Sequence, residues 1–476
     1  MAKETDKTRI FQALLREGLK VEHDGKGVYT VRLASEPNGV PAEILLPDSL
    51  SLEGKALTQL AQLAGVRHPD GGSVCRACAT PDFHPGDAGI AIGSVVESAD
   101  LVIPQSVGMD VNCGMRFHVM DMNLDQFMSG RKEFVGLMKG DYLLGTRDIA
   151  MSPKAMQGMF SAGLPAWLAG VKENPLGSMS RTDLSVLESE MERVMFRGSL
   201  AGDTQWVPDS LTSTGEKAIR DEGLATIGRG NHFCEVQVVA EILDKPLAYE
   251  WGVQKRQMAF MIHSGSRNVG RYVGGAWHDF AKDAWPKGLK YPDSKIFPIS
   301  VHDPLFAQYL TAENTASNYA FTNRALLAEL FKIRMREVYG DIDAPLVYDI
   351  PHNITLKENG KWVSRKGACP AHEGQPVIIP GSMGTSSYLL VGMGNDRFIN
   401  SASHGAGRAT SRGKMHQKDA KSLGLEGVDC ITLRDERRIE ESPASYKPIQ
   451  PVIDAQVAAG LVRVVARMEP ILTFKA

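Results

Sequence analysis

A chain of 476 residues, 43% of them hydrophobic and with a formal net charge of −3, has apolar material for a sizeable core and about two to four domains. The near balance of charge excludes nucleic-acid binding through bulk basicity, although a local basic groove is compatible with it. Six cysteines in this length exclude a disulfide framework, and no window approaches the ~20 apolar residues of a membrane-spanning helix.

The start, MAKETDKTRIFQALL, carries charge where a secretory leader needs an apolar stretch, so a soluble cytoplasmic protein is expected. Residues 7–20 have helical spacing, GVYTVRLA reads as a strand, and ALTQLAQLAGV (56–66) as a second helix. Cys75 and Cys78 form a lone C-x-x-C, a weak metal or redox signal without a second pair. ATPDFHPGDAGIAIGSVVES (79–98) reads as a loop leading into a strand, and IPQSVGMDVNCGMRFHVM (103–120) as another. Residues 124–197 are mostly helical, TDLSVLESEMERVMF (182–196) most clearly. FCEVQVVAEIL (233–243) is strand-like, with Cys234 read as packing. QMAFMIHSGSRNVG (257–270) is a strand ending in a Gly-Ser loop. Residues 304–338 form the longest helical pattern, broken once. PLVYDIPHN (345–353), QPVIIPGSMG (375–384) and SYLLVG (387–392) are strands ending in loops, and LVRVVARM (461–468) is a late strand. No repeat, low-complexity segment or linker divides the chain.

The recurring pattern is an apolar strand that ends in a short loop carrying His, Asp, Cys or Gly-Ser. Strand-end loops are where a rigid scaffold displays reactive groups. VGMDVNCGM offers Asp110 and Cys113; GRGNHFCEVQ offers Asn231, His232 and Glu235; HSGSRNVG offers His263 and Arg267; DIPHN offers His352 and Asn353. Singly, each histidine is more often structural. Together, His232, His263 and His352 with Asp110 and Cys113 make an N/S/O metal set, whose softness taken alone favours zinc. GSRNVG, IPGSMGTSSY and HGAGR can turn backbone N–H groups toward phosphate, though none matches an established phosphate-loop pattern. SHGAGRATSRGKMH (403–416) sets His404 before small residues and then Arg408, Arg412 and Lys414, with Lys418 beyond. By itself this stretch reads either as a nucleophile presented to an anion or as a histidine in a basic turn.

PDFHPGDAGIAIG, GMDVNCGMRF, GNHFCEVQ, HSGSRNVG, NYAFTNR, DIPHN, RKGA, IPGSMGTSSY and SHGAGRATSR occur in one order from about residue 80 onward. With them the chain resembles the RtcB-type RNA ligases, the GTP-dependent ligases of tRNA splicing and RNA repair. Residues 1–70 fall outside the match and 150–215 follow it loosely. The resemblance implies an α+β fold of stacked β-sheets with surrounding helices and a central metal and nucleotide cleft. It implies a divergent segment, 1–70, packed as one unit on a catalytic domain, 71–476. It also implies a covalent histidine–GMP intermediate, with GTP and two Mn²⁺ ions as cofactors. The RNA carries a 3′-phosphate or 2′,3′-cyclic phosphate, joined to a 5′-hydroxyl, and an activating protein is an expected partner; no membrane is.

On this resemblance His404 is the guanylylated nucleophile, Asp82 orients it, and Arg408 stabilises phosphate charge. Asp110, Cys113, His232, His263 and His352 match the metal ligands, with Cys113 shared by two ions. Asn231, Glu235, Asn353, Ser382, Met383, Gly405, Ala406 and Gly407 match nucleotide contacts. Ser387, Tyr446 and Lys475 match the guanine-recognising set, and Arg267 a position that holds an RNA phosphate. A neutral imidazole can attack the α-phosphorus of GTP and split one difficult step into two. The competing readings are a metal-dependent phosphoesterase acting on RNA ends without ligation, and a non-catalytic RNA-binding protein derived from a ligase.

Overall fold

The computed structural model describes residues 2–213, 215, 217–417 and 420–476, so Lys418 lies outside the described residues. Two sheets carry the architecture. The first has seven strands, in the order Leu19–His23, Val28–Leu33, Ala42–Leu45, Val74–His84, Ile92–Ser98, Lys361–Lys366 and Asn353–Glu358. The second has eight: Leu346–Pro351, Gly114–Asn123, Gln257–Ser264, Phe233–Ile242, Val462–Phe474, Ser387–Gly392 and Pro376–Ile379, with Cys430–Ile431 added beside Val462–Phe474. Helices cover the sheets, giving the α+β class that the motifs implied. The N-terminal segment joins the first sheet directly, because Ala42–Leu45 pairs in parallel with Val74–His84. No helix among the described residues is long and apolar enough to cross a membrane.

His352 is the only residue between Leu346–Pro351 in the second sheet and Asn353–Glu358 in the first. The chain therefore passes from one sheet to the other through a candidate ligand. Pairing on both sides holds that crossing. Pro351 lies opposite Gly114, and Asn353 lies opposite Lys366. Gly114 has no room for a side chain, since a Cβ there would lie 2.5 Å from the Ile350 carbonyl.

Several expectations change. The pattern at 304–338 is one uninterrupted helix, Leu305–Tyr339. Its polar residues do not break it because their side chains bond outward: Asn318 to the Phe160 and Leu200 carbonyls, Asn323 to the Thr226 and Gly265 carbonyls. The loop expected from residue 79 begins later, as Thr80–His84 complete the strand Val74–His84. Pairing slips there, from Ala79 opposite Ser94 to His84 opposite Ile92, so the intervening residues bulge out of the ladder. The helix expected at 182–196 is only Leu184–Glu190, followed by short 3₁₀ turns, with Phe196 and Arg197 at positive φ. The late strand runs on to Phe474 through irregular pairing around Pro470, which carries Lys475 toward the sheet's other strand ends. Cys75 is exposed and Cys78 buried, as three-residue spacing on a strand requires, so they do not form a pair. Cys234 is core packing, as expected.

The long helix is buried on nearly all sides and packs on Gln257–Ser264 and on the helices Leu124–Lys139, Pro153–Ala162 and Arg267–Asp283. Its fully buried Arg324 grips Asp349, also fully buried, with Nε at 3.0 Å and Nη2 at 2.8 Å. The same guanidinium donates through Nη1 to the carbonyls of Asn112 (2.7 Å) and Ser264 (3.0 Å). One side chain thus ties together three strand ends. Removing one partner of such a buried pair strands a charge, which typically destabilises by about 3–5 kcal/mol. Asp349→Ala is therefore expected to lower unfolding stability by about that amount, seen as a lower urea midpoint at unchanged slope.

Candidate active site and metal centre

Strand register assembles the site. Leu346–Pro351, Gly114–Asn123, Gln257–Ser264 and Phe233–Ile242 are consecutive neighbours in the second sheet. Across them, Pro351 faces Gly114, Gly114 faces Ser264, and His263 faces Phe233. His352, Cys113, His263 and His232 each sit at or one residue beyond that row. Residues up to 239 positions apart in sequence so meet at one edge of one sheet. Asp110 joins them from a tight turn in which the Cys113 N–H donates to the Asp110 carbonyl and Asn112 adopts φ 54°.

Cys113 Sγ lies 3.1 Å from His232 Nε2 and 3.2 Å from His263 Nε2. His232 Nε2 is 2.9 Å from Asp110 Oδ2, and His263 Nε2 is 3.2 Å from His352 Nε2. His263 Nδ1 faces the Asn231 carbonyl at 3.1 Å, and since a carbonyl only accepts, Nδ1 carries the proton. Nε2 is then a bare lone pair turned toward Cys113 and His352, as in a metal ligand oriented by an outer hydrogen bond. Separations near 3 Å suit donor atoms that share an ion at about 2.0–2.3 Å. Cys113, His232 and His263 are the buried group among the described residues able to hold one ion. Asp110 and His352 extend the set to either side.

The charge states agree. Burial, then the neighbouring histidines, push His263 and His352 well below the ordinary imidazole range, so both rings are neutral and able to ligate. Burial and the Asp110 carboxylate push the Cys113 thiol well above its ordinary range in the absence of a cation. Burial works to raise Asp110, but the His232 ring outweighs it and holds the carboxyl well below the usual range.

His404 follows the short strand Ser401–Ser403, which pairs with Ala368–Pro370. Its Nδ1 lies 2.5 Å from Asp82 Oδ2, and its backbone N–H donates to the same oxygen at 3.1 Å. Thr80 Oγ1 donates to the other oxygen at 2.6 Å. Burial alone would raise Asp82, but the His404 ring and these hydrogen bonds more than offset it, and the carboxyl stays below its ordinary range. The strand bulge is what turns Asp82 toward His404. Gly407 serves the same contact: at φ 77°, a Cβ on it would lie 2.1 Å from the Asp82 carbonyl. Its smallness makes room for protein backbone, whereas a Cβ on Gly405 would make only an ordinary contact, 3.7 Å from the Pro380 carbonyl. The His404 ring stands 4.8 Å from that of His352, and Nε2 has no protein partner among the described residues.

A cleft of about 1180 Å³ unites these groups. Asp110, Cys113, Asn231, Glu235, His263, His352, Asn353, Ser382, Met383, His404, Gly405, Ala406, Gly407, Arg408, Tyr446 and Lys475 all line it. Asp82 lies behind His404. Ser387 lies beneath the wall, accepting from the Gly381 N–H and from Gln237. Glu235 accepts from Thr473 at 2.6 Å and Gln237 at 2.7 Å, and burial pushes its carboxyl up to about 7. Lys475 donates to the His232 carbonyl, and burial lowers its ammonium. Arg267 and His232 face a neighbouring recess.

Arg408 reaches the cleft already partnered. Its guanidinium pairs with Glu441 at 2.7 Å and donates to the Glu440 carbonyl at 2.9 Å and to Tyr446 at 3.3 Å. These contacts fix Glu441 and Tyr446 on the cleft wall. Arg412 also binds Glu441, at 2.8 Å, while Lys414 is exposed. Sequence reasoning missed Glu441, a buried carboxylate on the cleft wall that receives Arg408, Arg412 and the Tyr446 hydroxyl. It also missed Arg324, Asn323 and Asp349. Their signal was present in NYAFTNR and DIPHN as charged and amide residues inside otherwise apolar elements.

Residues 59–476 match the protein family described as tRNA-splicing ligase RtcB. The "RNA-splicing ligase RtcB homolog 1" of Entamoeba dispar is 31% identical over 452 residues, covering 84% of this chain and 79% of its own. The "tRNA-splicing ligase RtcB" of Archaeoglobus fulgidus is 30% identical over 478 residues, covering 91% and 94%. That of Nanoarchaeum equitans is 32% identical over 437 residues, covering 83% and 87%.

Because Cys113 is a protonated thiol before metal enters while His263 and His352 are already neutral, binding of a divalent cation such as Mn²⁺ near pH 7 is expected to release at least about one proton. Calorimetry in buffers of different ionisation enthalpy measures this as a slope of about one or more. Cys113→Ala should lower the slope by about one and weaken binding, and a zero slope in the unaltered protein would contradict a thiolate ligand.

Proposed function

The chain belongs to the RtcB family of tRNA-splicing ligases, and from that premise we propose that it joins RNA ends through a covalent GMP on His404. The observation that carries this reading is the 2.5 Å contact between His404 Nδ1 and Asp82. A carboxylate accepts the Nδ1 proton, so the Nε2 lone pair is the one offered to the cleft. Nε2 attacks the α-phosphorus of GTP, an N–P bond forms, and the bond to the bridging oxygen breaks as pyrophosphate leaves. Asp82 keeps the Nδ1 proton in place and balances the positive charge that develops on the ring. An oxygen of the RNA 3′-phosphate then attacks the same phosphorus and frees His404. The 5′-hydroxyl of the second strand attacks the activated 3′-phosphorus, loses its proton, and displaces GMP. A 2′,3′-cyclic end enters this sequence after hydrolysis to the 3′-phosphate.

Asp110, Cys113, His232, His263 and His352 would hold two manganese ions. Bound there, the cations would offset the charge that builds on the α-phosphate and the leaving group. Asn231, Asn353, Ser382, Met383 and the backbone of 405–407 would seat the nucleotide. Glu235, Tyr446 and Lys475 would meet the base and ribose, with Ser387 setting the loop above it.

Incubation with GTP and Mn²⁺ followed by intact-mass measurement tests the reading. A GMP adduct is expected on the unaltered chain and none on His404→Ala. Asp82→Asn, which loses the tautomer control, should slow adduct formation at least about 100-fold. No adduct with any divalent cation would overturn the proposal. Phosphate release from RNA ends without joining would favour a phosphoesterase instead.

A further inference from the structure

The N-terminal segment reaches the main cleft through one side chain. Among the described residues that line the cleft, Glu53 alone precedes His84, and it lies outside the stretch 59–476 that matches the family. It stands at the start of the helix Gly54–Ala64 but does not cap it, because no backbone N–H of the first turn donates to its side chain. A reciprocal pair further along the helix fixes its place. Gln59 Nε2 donates to the Gly86 carbonyl at 2.8 Å, and the Gly86 N–H donates to Gln59 Oε1 at 3.0 Å. The helix is thereby clamped onto the loop that follows His84.

Glu53 Oε1 is shielded from solvent and has no hydrogen-bond partner among the described residues. Lys447 bears on it electrostatically, but that ammonium donates to the Pro81 and Phe83 carbonyls. Burial pushes the Glu53 carboxyl above its ordinary range, against the pull of Lys447. His84 lines the same cavity. Its Nδ1 lies 2.7 Å from the Asp82 carbonyl, which only accepts, so Nδ1 carries the proton and Nε2 is a bare lone pair. Burial pushes this ring down to about 4, so it is neutral. The cleft thus holds two acceptors, a carboxylate oxygen and an imidazole nitrogen, with no protein donor among the described residues.

A shielded polar atom without a partner costs free energy, and a ligand donor removes that cost. An ionised carboxylate only accepts, and it repels phosphate. On an RNA backbone the neutral donors are ribose hydroxyls. A site that pairs with a hydroxyl also rejects a strand lacking it, because the acceptor is then stranded. We infer that Glu53 is a specificity-determining residue that accepts a hydrogen bond from a ribose hydroxyl of the substrate RNA, either the terminal 5′-hydroxyl or a 2′-hydroxyl. The ligand rests on the RNA-ligase reading. The stranded acceptor stands apart from it.

Fluorescence anisotropy with the full chain and short single strands, without GTP, tests this. Oligonucleotides of one sequence carry a 5′-hydroxyl on ribose, a 5′-phosphate on ribose, or a 5′-hydroxyl on 2′-deoxyribose. The unaltered chain is expected to favour the first roughly tenfold over one of the others. Preference over the 5′-phosphate strand assigns the terminal hydroxyl, and preference over the deoxy strand assigns a 2′-hydroxyl. Glu53→Ala should abolish that preference, whereas a packing defect would weaken all three strands alike. Glu53→Gln, which keeps an acceptor without the charge, should bind the hydroxyl strand within roughly threefold of the unaltered chain. Melting temperature should not fall in either variant, since Oε1 has no protein partner to lose. No preference in the unaltered chain, or an unchanged preference in Glu53→Ala, would overturn the inference. Transfer of GMP from GTP to His404 is read separately. Slower transfer in Glu53→Ala at unaltered melting temperature would place the carboxylate on the nucleotide's ribose and overturn the RNA assignment. Absence of any adduct on the unaltered chain would retire the ligase chemistry, while a Glu53-dependent preference still supported the hydroxyl contact.

Discussion

The site depends on one buried guanidinium. Arg324 stands on the long central helix and binds Asp349, the Asn112 carbonyl and the Ser264 carbonyl together. Those three residues neighbour the turn that carries Asp110 and Cys113, the strand end that carries His263, and the strand that leads to His352. A buried ion pair is weak evidence for net stability, since desolvation offsets much of the attraction. Its value here is geometric. Donor atoms must meet within a few tenths of an ångström, and a planar group with five donors fixes several backbones at once. Asn323 adds a second clamp, linking Thr226, Ser264 and Gly265 one residue away on the same helix.

A second constraint follows from the junction of the two sheets. His352 bridges them, Asn353 donates to the Asp110 carbonyl, and the Gly367 N–H donates to Asn353. Asp82 reaches His404 from the first sheet only because its strand bulges over Gly93 and under Gly407. The proposed nucleophile is thus set by one sheet and the candidate metal ligands by the other. Their relative position is decided where the sheets meet, which explains why His352 and His404 stand ring to ring.

Electrostatics divide the cleft into regions of distinct use. Around the sulfur and imidazole donors, burial keeps His263 and His352 neutral and the Cys113 thiol protonated. Around Glu441, one carboxylate receives two guanidiniums and a tyrosine, so that wall keeps net positive charge. Arg229, Arg267 and Arg271 add more on the far side of Asp110. A chain with a formal net charge of −3 so carries a local basic site without a basic composition.

Much of the chemistry was legible in the residues themselves. His404, Asp110, Cys113, His232, His263 and His352 stood out because their types, their strand-end places and their small neighbours are local properties of the chain. The α+β class was also legible, since apolar runs ending in polar loops alternate with helical spacing. Other features had no local signature. The register that sets His352, Cys113, His263 and His232 in one row is a property of strand pairing between distant segments. The pairing of Arg408 depends on Glu441, and the need for glycine at 407 depends on the Asp82 backbone, 325 residues earlier. Residue types along the chain limit which atoms can bind metal and phosphate. Which of those atoms meet is a matter of the folded molecule, because contact between remote segments follows from how strands pair and buried charges find partners.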